Sequence, residues 1–371
     1  LEGIGCAISP GETEGWRVSA PTWRPDLGRP EDLIEEVARI RGFDTVPTEL
    51  PRVLPSGRGV APRLRASRRL REAAADLGLL EAVSFAFVSR ADLERARVPT
   101  DAVELANPLS EERAVMRTSL LPGMLAAAVR ARRHQVRAVR LFELARVYRP
   151  TGEPLPAEPL ELAVLLAGPR VDHVGDAGDH DFYDGKGVLE SIVSAALGAP
   201  LAAMPDDALD ADAPFLHPRR RARLSVGGRA VGALGEVHPD VAEAFELDVR
   251  AVYGVLDVDA LLAAGAARGL PQAKPLPRFP AVVRDVAVVV REGVLAGEVA
   301  DVAREAGGEL VEAVELFDVY RGEGIAAGHK SLAYRIVYRD AEATLTDARV
   351  EKAHARVLAA LRERLGAAVR E

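Results

Sequence analysis

The sequence has little cysteine and no long apolar run. Cys6 is the single cysteine among 371 residues, so it cannot form a disulfide within the chain, which favours a reducing compartment. No stretch approaches the roughly 18 consecutive apolar residues that span a membrane, and the first residues lack the basic and apolar segments of a signal peptide. We therefore expect a cytoplasmic protein with no membrane partner. Because the chain opens at Leu1, we also expect it to be a piece of a longer protein.

Several common catalytic motifs are absent as well. The seven histidines are scattered, and none has the HExxH or paired zinc-ligand spacing. His217 and His238 each precede a proline, which is typical of turns. The segment DHDFYDGKG (179–187) lacks the GxxxxGK[ST] spacing of a phosphate-binding loop. Its acids therefore predict a capped helix start, with phosphate binding as the alternative.

The net charge of −8 combines two blocks of opposite sign. Residues 58–155 carry a net charge of +7, and residues 156–271 carry −10. The overall charge disfavours long-range attraction of nucleic acid, but the basic block leaves room for a local phosphate-binding face. Its densest part is a run of five arginines, Arg130, Arg132, Arg133, Arg137 and Arg140. If the run is helical, Arg130, Arg133 and Arg137 share one face; a solvated surface is the commoner explanation.

Two proline-rich segments divide the chain. VPTELPRVLPSGRGVAPR (46–63) and LPQAKPLPRFP (270–280) have the chemistry of linkers. They predict an N-terminal module over 1–50, a core over 62–270 and a C-terminal domain over 278–371. Strands and helices are mixed in each part, so the predicted fold class is α+β. In the C-terminal domain the patterns follow the order β-α-β-β-α-β, which is the ferredoxin-like arrangement.

Four carboxylates cluster in WRPDLGRPEDLIEE (23–36): Asp26, Asp32, Glu35 and Glu36. Helical spacing brings Glu35 and Glu36 onto the same side as Asp32, and Asp26 can approach from the preceding turn. Hard oxygen ligands of this kind suit Mg²⁺. The alternative is a helix start enriched in acids because they interact favourably with the helix dipole. The spacing alone favours this alternative over a metal site.

Aromatic residues and arginines alternate on two strands predicted for the C-terminal domain. They are Phe317, Tyr320, Tyr334, Arg335, Tyr338 and Arg339. An open sheet face with such residues can stack and clamp single-stranded RNA. The same alternation also fits aromatic residues that pack under the helices, and core packing is the default interpretation for most of them.

Several segments, taken in order, resemble one family, the beta subunit of bacterial phenylalanyl-tRNA synthetase. PTWRPDLGRPEDLIEEVARIRGFDTVP (21–47) resembles its B5 module. ANPLSEERAVMRTSLLPGML (106–125), LFELARVYRP (141–150), FLHPRRRARL (215–224) and GALGEVHP (232–239) are similar to its synthetase-like core. PRFPAVVRDVAVVV (277–290), VELFDVYRG (314–322), GHKSLAYRIVYR (328–339) and TLTDARVEK (344–352) resemble its anticodon-binding domain. The resemblance covers nearly the whole chain.

The resemblance implies a fold and a role for each part. It implies part of a B5 module whose carboxylates, Asp26, Asp32, Glu35 and Glu36 by position, hold Mg²⁺ at a site shared with the alpha subunit. It implies a core of class II synthetase type, built on an antiparallel sheet, that has lost its active site. The third part is then a ferredoxin-like domain that binds tRNA, with Arg284, Lys330, Arg335 and Arg339 as candidate contacts. The complete (αβ)₂ enzyme of the family joins phenylalanine to its tRNA with ATP.

The residues agree with a core that does no catalysis. Arg146–Arg149 resembles the strand that carries the phosphate-binding arginine in class II synthetases, but TGEPLPAEP (151–159) replaces the usual polar loop. No Gly-x-Gly-x-x-x-Arg segment precedes a helix near the end of the core. The family's N-terminal tRNA-binding and editing domains are absent from the sequence, so editing is not expected. The competing hypotheses are a free-standing RNA-binding paralogue without a catalytic partner and a metal-dependent enzyme that uses Asp26 and Asp32.

Overall fold

The computed structural model describes residues 1–11, 14–52, 59–171, 178–266 and 275–370. The chain divides into two compact units, Leu1–Gly269 and Leu270–Glu371. The first unit begins with an antiparallel pair, β1 (Ala7–Pro10) and β2 (Trp16–Ser19), followed by helix α1 (Pro30–Arg41). Cys6 is buried beside this pair, as expected for a small apolar side chain. The predicted division between residues 50 and 62 stays a prediction.

The rest of the first unit is built on a sheet of seven strands. In chain order the strands of this region are β3 (Leu80–Glu81), β4 (Phe87–Val88), β5 (Val115–Met116), β6 (Val139–Arg146), β7 (Leu160–Ala167), β8 (Ala202–Met204), β9 (Leu216–Val226), β10 (Arg229–Val237) and β11 (Ala251–Asp257). Seven of them form the sheet in the order β3-β6-β7-β11-β10-β9-β8, while β4 and β5 pair separately. All neighbours in the large sheet are antiparallel except β3 and β6. The expected antiparallel-sheet core is therefore confirmed.

Helices cover both faces of this sheet. They are α2 (Pro62–Asp76), α3 (Arg90–Arg95), α4 (Leu121–Arg133), α5 (Phe182–Leu197), α6 (Leu209–Asp212), α7 (Pro239–Ala244) and α8 (Val258–Ala266). One apolar cluster joins α4 to one face, and a second joins α2, α5 and α8 to the other. Because β7 lies between the two clusters, its sequence LELAVLLA is apolar on both sides.

Two local expectations for the core need correction. The pattern over residues 77–89 predicts a strand, but the structure has only the two-residue strands β3 and β4 there, in different sheets. Between β3 and β4 the backbone runs along the edge of the large sheet and makes few hydrogen bonds to it. One of them is donated by the Ala82 amide to the Phe142 carbonyl. The second correction concerns the arginine run. Helix α4 ends at Arg133, so Arg137 does not share a helical face with Arg130 and Arg133.

The second unit has the predicted ferredoxin-like order. Its elements are β12 (Val282–Arg291), α9 (Ala296–Gly307), β13 (Val311–Tyr320), β14 (His329–Tyr338), α10 (Asp347–Leu365) and β15 (Ala368–Arg370). The four strands form one antiparallel sheet in the order β13-β14-β12-β15. Both helices pack on one face, where alternate residues of β12 and β14 join their core. The other face is not covered by either helix of this unit.

Candidate functional site

The carboxylates of the N-terminal cluster are held by arginines and backbone amides. Arg24 Nη2 lies 2.7 Å from Asp26 Oδ2 and 2.9 Å from Glu36 Oε1. The second oxygen of Glu36 accepts a hydrogen bond of 2.6 Å from Arg39. These two guanidinium groups, Arg39 first, lower the pKa of Glu36 to about 2. The structure thus brings Asp26 and Glu36 together, with Arg24 between them.

The other two carboxylates have different positions. Asp32 Oδ2 accepts hydrogen bonds from the backbone amides of Arg29, at 2.8 Å, and of Gly28, at 2.9 Å. It therefore stabilises the start of α1, and these amides lower its pKa. Glu35 is exposed.

This arrangement does not fit a Mg²⁺ ion. A divalent cation needs free carboxylate oxygens at coordination distance, yet both oxygens of Glu36 accept hydrogen bonds from arginines. Across the described ranges, no group of three or more His, Cys, Asp or Glu side chains is arranged to hold a metal ion. The metal site inferred from the resemblance therefore stays a prediction that needs the arginines to move.

The uncovered face of the second sheet carries aromatic and basic side chains. Phe317 and Tyr320 are 56% and 38% exposed. The guanidinium of Arg335 lies 5.5 Å from the ring centre of Phe317, and that of Arg370 lies 5.4 Å from the ring of Tyr320. We call these four residues the open face. They provide flat surfaces beside two guanidinium groups, of which that of Arg335 is paired with Asp285, and flat surfaces of this kind suit the stacking of unpaired bases.

Small residues lie between the aromatic and basic groups of the open face. Ala333 pairs with Ala287 on β12, and Ser331 pairs with Tyr320 on β13. Beside these short side chains, the Arg370 guanidinium on β15 reaches the ring of Tyr320 on the opposite edge strand. The open face is therefore continuous across the four strands.

The four candidate RNA contacts have different surroundings. Arg335 is on the open face, where it donates two hydrogen bonds to Asp285. Lys330 is buried on the helix side and donates to the Glu292 carbonyl at 2.7 Å. Arg339 donates to Glu312 and to the Phe279 carbonyl. Arg284 lies on the helix-covered side of β12, in the register of the buried Val286.

The aromatic residues divide between the two faces in the same way. Tyr334 and Tyr338 are buried under the helices, as the default interpretation held. The Tyr334 hydroxyl donates to the Ala296 carbonyl, and the Tyr338 hydroxyl lies 2.9 Å from His354 Nδ1. Of these four aromatic residues, Phe317 and Tyr320 are exposed and can contact a ligand.

In the core, the arginines of the strand that resembles a phosphate-binding strand contact carboxylates of the chain. Arg146 Nη1 lies 3.4 Å from a Glu158 oxygen, and Arg149 Nη2 lies 2.8 Å from Glu161 Oε1. Burial raises the pKa of Glu161 to about 7, although Arg149 acts in the opposite direction. With both guanidinium groups engaged, this region offers little charge for an ATP phosphate.

Sequence reasoning missed the buried charges of the core, among them two glutamates of neighbouring strands. Glu143 is 2% exposed and forms an ion pair of 2.8 Å with Arg117, which is 5% exposed. The Ser84 hydroxyl lies 2.7 Å from a Glu143 oxygen and ties the residues before β4 to this pair. Glu161 on β7, 7% exposed, is the other glutamate. Both glutamates interrupt otherwise apolar strands, and that interruption is the signal that would have revealed them.

An exposed apolar row follows the β3 edge of the core sheet. Leu80, Val83 and Phe85 are 71%, 90% and 64% exposed. We call them the edge row. Monomeric proteins seldom expose neighbouring large apolar side chains at a sheet edge, because such an edge invites pairing with another chain. The edge row is therefore a candidate binding surface for a protein partner.

The arginine run and the capped helix start both have structural roles. Arg132 forms an ion pair with Asp248 at 3.0 Å, and Arg133 contacts Glu246. Asp181 caps α5 by accepting hydrogen bonds from the amides of Tyr183 and Asp184. A solvated, ion-paired surface thus accounts for Arg132 and Arg133, and a helix cap accounts for Asp181. In the part of the chain that is described, no helix is both long and apolar enough to cross a membrane.

Three family models match successive parts of the chain. The tRNA synthetase B5 domain matches residues 1–43, the phenylalanyl tRNA synthetase beta chain CLM domain matches 46–258, and the ferredoxin-fold anticodon binding domain matches 277–370. Among solved structures, the pyrrolysyl tRNA synthetase of Desulfitobacterium hafniense has 13% identity and a TM-score of 0.44 over 64% of this chain and 77% of that one. This likeness is too low to argue from.

Two curated proteins that are similar to this chain are both phenylalanine–tRNA ligase beta subunits. The phenylalanine–tRNA ligase beta subunit of Moorella thermoacetica is 45% identical over 96% of this chain and 44% of its own length. The beta subunit of Symbiobacterium thermophilum is 43% identical over 95% of this chain and 40% of its own. The chain thus spans less than half the length of these relatives. With a family model that matches more than half of its residues, the chain belongs to the family of phenylalanine–tRNA ligase beta subunits.

Proposed function

We propose that this chain is a non-catalytic part of a phenylalanine–tRNA ligase. It binds the catalytic alpha subunit, completes an (αβ)₂ assembly in the cytoplasm and holds the tRNA, while the alpha subunit uses ATP to attach phenylalanine. The observation that carries this proposal is the edge row, because it is an apolar surface at an open sheet edge of the core. The engaged arginines Arg146 and Arg149 support it further, since they leave adenylate chemistry to another chain.

The edge row suits an obligate partner. Val83 and Phe85 alternate outward along a segment that makes few backbone hydrogen bonds of its own, so another chain can pack on the side chains and reach the free edge. Obligate interfaces bury roughly 2,000 Å² or more and are apolar at their centre. Aromatic residues at such centres often cost about 2 kcal/mol or more when they are removed.

The test is phenylalanine-dependent charging of tRNA by this chain alone, by the alpha subunit encoded in the same genome alone, and by their mixture. We expect activity in the mixture only. The double variant Val83→Asp, Phe85→Asp should weaken assembly at least about tenfold. Met204→Asp is the matched control, because Met204 is 49% exposed on β8 at the opposite edge of the same sheet. Charging by this chain alone would contradict the proposal. So would an equal loss of assembly in the double variant and in Met204→Asp.

We further propose that the open face binds unpaired bases of the tRNA. Stacking of one base on an aromatic side chain contributes about 1–3 kcal/mol, so Phe317→Ala should lower tRNA affinity about 5- to 150-fold. Arg335→Ala should lower affinity and reduce the salt dependence by about one counterion. Arg364 is the matched control for Arg335: each is about half exposed and paired with one acid, but Arg364 lies on α10.

The other candidate contacts are tested in the same assay. Arg339→Ala leaves Glu312 without its hydrogen-bond partner, so its effect on folding is measured beside its effect on affinity. For Lys330→Met and Arg284→Met, folding stability and tRNA affinity are measured in the same way. A contact to tRNA predicts lost affinity at unchanged stability. A structural role predicts lost stability at unchanged affinity.

We propose that Asp26, Asp32, Glu35 and Glu36 bind Mg²⁺ only in the assembly with the alpha subunit. In the chain alone Arg24 and Arg39 compete for Glu36, so millimolar Mg²⁺ should not raise its melting temperature above that of a control at matched ionic strength. In the mixture, Glu36→Gln should reduce the Mg²⁺ dependence of assembly. Glu31→Gln, which changes an exposed acid at the start of the same helix, should not. Equal effects of the two variants would contradict the site.

The competing function is a free-standing RNA-binding paralogue. The open face favours it, because that surface needs no second subunit to bind bases. It predicts tRNA binding by the chain alone together with no association with any alpha subunit. The mixing experiment separates the two functions.

A further inference from the structure

An open cavity of about 580 Å³ lies on the face of the core sheet that packs against α4. Its lining comes from the end of β11, the starts of β7 and β10, and the segment 209–215 before β9. The apolar part of this lining includes Phe215, Ala233 and Val255. The volume is within the range of small-molecule sites, roughly 300–1,000 Å³, so a small organic molecule has room here.

Two carboxylates of the lining lie directly opposite each other. Glu161 on β7 pairs with Asp257 on β11 in the ladder between these strands, and both residues line the cavity. We call them the acid pair. Residues in this relation have Cβ atoms about 4.5–5.5 Å apart on one face of the sheet, and like charges there destabilise the sheet. A cation bound between the two side chains would remove this repulsion.

Each member of the acid pair has one oxygen without a donor. The Glu161 side chain is 9% exposed, and its Oε1 accepts a hydrogen bond of 2.8 Å from Arg149 Nη2. Its Oε2 has no donor in the described chain but keeps accessible surface. Asp257 Oδ1 accepts from the Ala260 amide at 2.9 Å, and its Oδ2 likewise has no described donor. Buried polar groups nearly always have partners, and here the adjoining space is the cavity.

The charges around the cavity leave negative charge over. Two guanidinium groups face four carboxylates, namely the acid pair and two further acids. Arg149 contacts one member of the acid pair. Arg223 lies between Asp206, at 2.8 Å, and Asp212, at 2.5 Å. Both arginines are therefore occupied, and the site lacks positive charge.

We propose that this cavity binds a small organic ammonium ion. Its ammonium group donates to the free oxygens of the acid pair, and its apolar part packs against Phe215 and Val255. An ammonium group has three donors and no acceptor, and its hydrogen bonds to carboxylates are strong because both partners are charged. A metal ion fits less well, since the described residues contain no group of three or more His, Cys, Asp or Glu arranged to hold one. The inference does not depend on the function proposed above, because it uses neither the edge row nor the open face.

The probes are phenethylamine, 2-phenylethanol, phenylacetate and ammonium chloride. Each is titrated into the full chain at constant ionic strength and about pH 8, because burial raises the pKa of Glu161 to about 7. We expect the melting temperature to rise with the logarithm of phenethylamine concentration and to change little with the other three. An equal effect of 2-phenylethanol or phenylacetate would overturn the role of the ammonium charge. An equal effect of ammonium chloride would overturn the assignment to an organic ligand.

Two variants each remove one negative charge at nearly constant size. They are Glu161→Gln and Asp257→Asn, and the second keeps an oxygen that can accept from the Ala260 amide. Each should raise the dissociation constant for phenethylamine at least about tenfold, because each loses a charged hydrogen bond. Glu158→Gln is the matched control, since it changes an exposed acid that pairs with Arg146 outside the cavity lining, and it should bind as the unaltered chain does.

Saturation-transfer NMR gives the dissociation constants directly, so a change in folding stability does not obscure them. An unchanged dissociation constant in Glu161→Gln would overturn the proposal. So would an equal loss of binding in Glu161→Gln and Glu158→Gln.

Discussion

Two glycines in the first turns of α5 provide a direct test of the packing in the core. A Cβ on Gly185 would lie 2.5 Å from Val252 Cγ1 and 3.0 Å from Leu234 Cδ1, whereas a Cβ on Gly187 would meet nothing within 4 Å. Both residues are helical, so alanine gains up to about 1 kcal/mol of helix propensity at either position. We expect Gly187→Ala to raise the free energy of unfolding by about 0.5–1 kcal/mol.

At Gly185 the same gain meets a steric cost. Forcing an extra carbon into a packed core costs about 1–3 kcal/mol, and Val252 cannot turn aside easily because its side chain is branched at Cβ. The net change for Gly185→Ala is then about 0–2 kcal/mol of destabilisation. The two variants should differ by about 1–3 kcal/mol, the size of the steric cost alone.

The measurement is urea unfolding followed by far-ultraviolet circular dichroism. Because the chain has two compact units, the transition of the first unit must be identified. Gly297→Ala, on α9 of the second unit with no atom within 4 Å of the added Cβ, should move only the other transition. Equal stabilisation by Gly185→Ala and Gly187→Ala would refute the close packing of α5 against β10 and β11.

Three further predictions concern charged groups. Glu143→Ala should destabilise the first unit by about 3–5 kcal/mol in urea unfolding, because Arg117 is left buried without its partner; a loss below about 1 kcal/mol would contradict this. The pKa of Glu161 is raised to about 7, so the folded state binds the extra proton and stability should fall as pH rises from about 4.5 to 7; Glu161→Gln should flatten that slope in unfolding curves recorded at each pH. The pKa of Glu36 is lowered to about 2, so its contribution to stability should be lost as pH falls from about 4.5 towards 2; a Glu36→Gln variant with the same acid sensitivity as the unaltered chain would argue against the pair with Arg39.

Hydrophobic periodicity predicted the order of the ferredoxin-like domain correctly. Its strands alternate apolar and polar residues, and its helices repeat apolar residues at helical spacing, so local patterns follow the fold. The same alternation could not say which face the helices cover. Tyr334 is buried and Phe317 is exposed, although both are aromatic residues of neighbouring strands. Tertiary packing determines which face of the sheet the helices cover.

The carboxylate cluster shows where spacing stops being informative. The sequence correctly predicted that Asp32 and Glu36 share one helix, and their separation follows from helical geometry. It could not reveal that Arg24, from the turn before the helix, lies between Asp26 and Glu36. That contact depends on the path of the intervening turn. The pairing of β3 with β6 joins residues about 60 positions apart. It could not be predicted either, because it also depends on the path of the chain between them.

β13 has two register shifts against β14, and the one between Leu316 and Asp318 has a consequence for the length of this strand. Leu316 pairs with Tyr334 and Asp318 pairs with Ala333, so Phe317 is one residue more than the ladder with β14 needs. Loss of Phe317 alone would bring Leu316 and Asp318 into uninterrupted register, and every later side chain would keep its side of the sheet. Loss of Val314, a regular member of the ladder, would instead exchange inside and outside for its neighbours. Phe317, one of the two aromatic residues of the open face, is thus a residue that the sheet itself can lose.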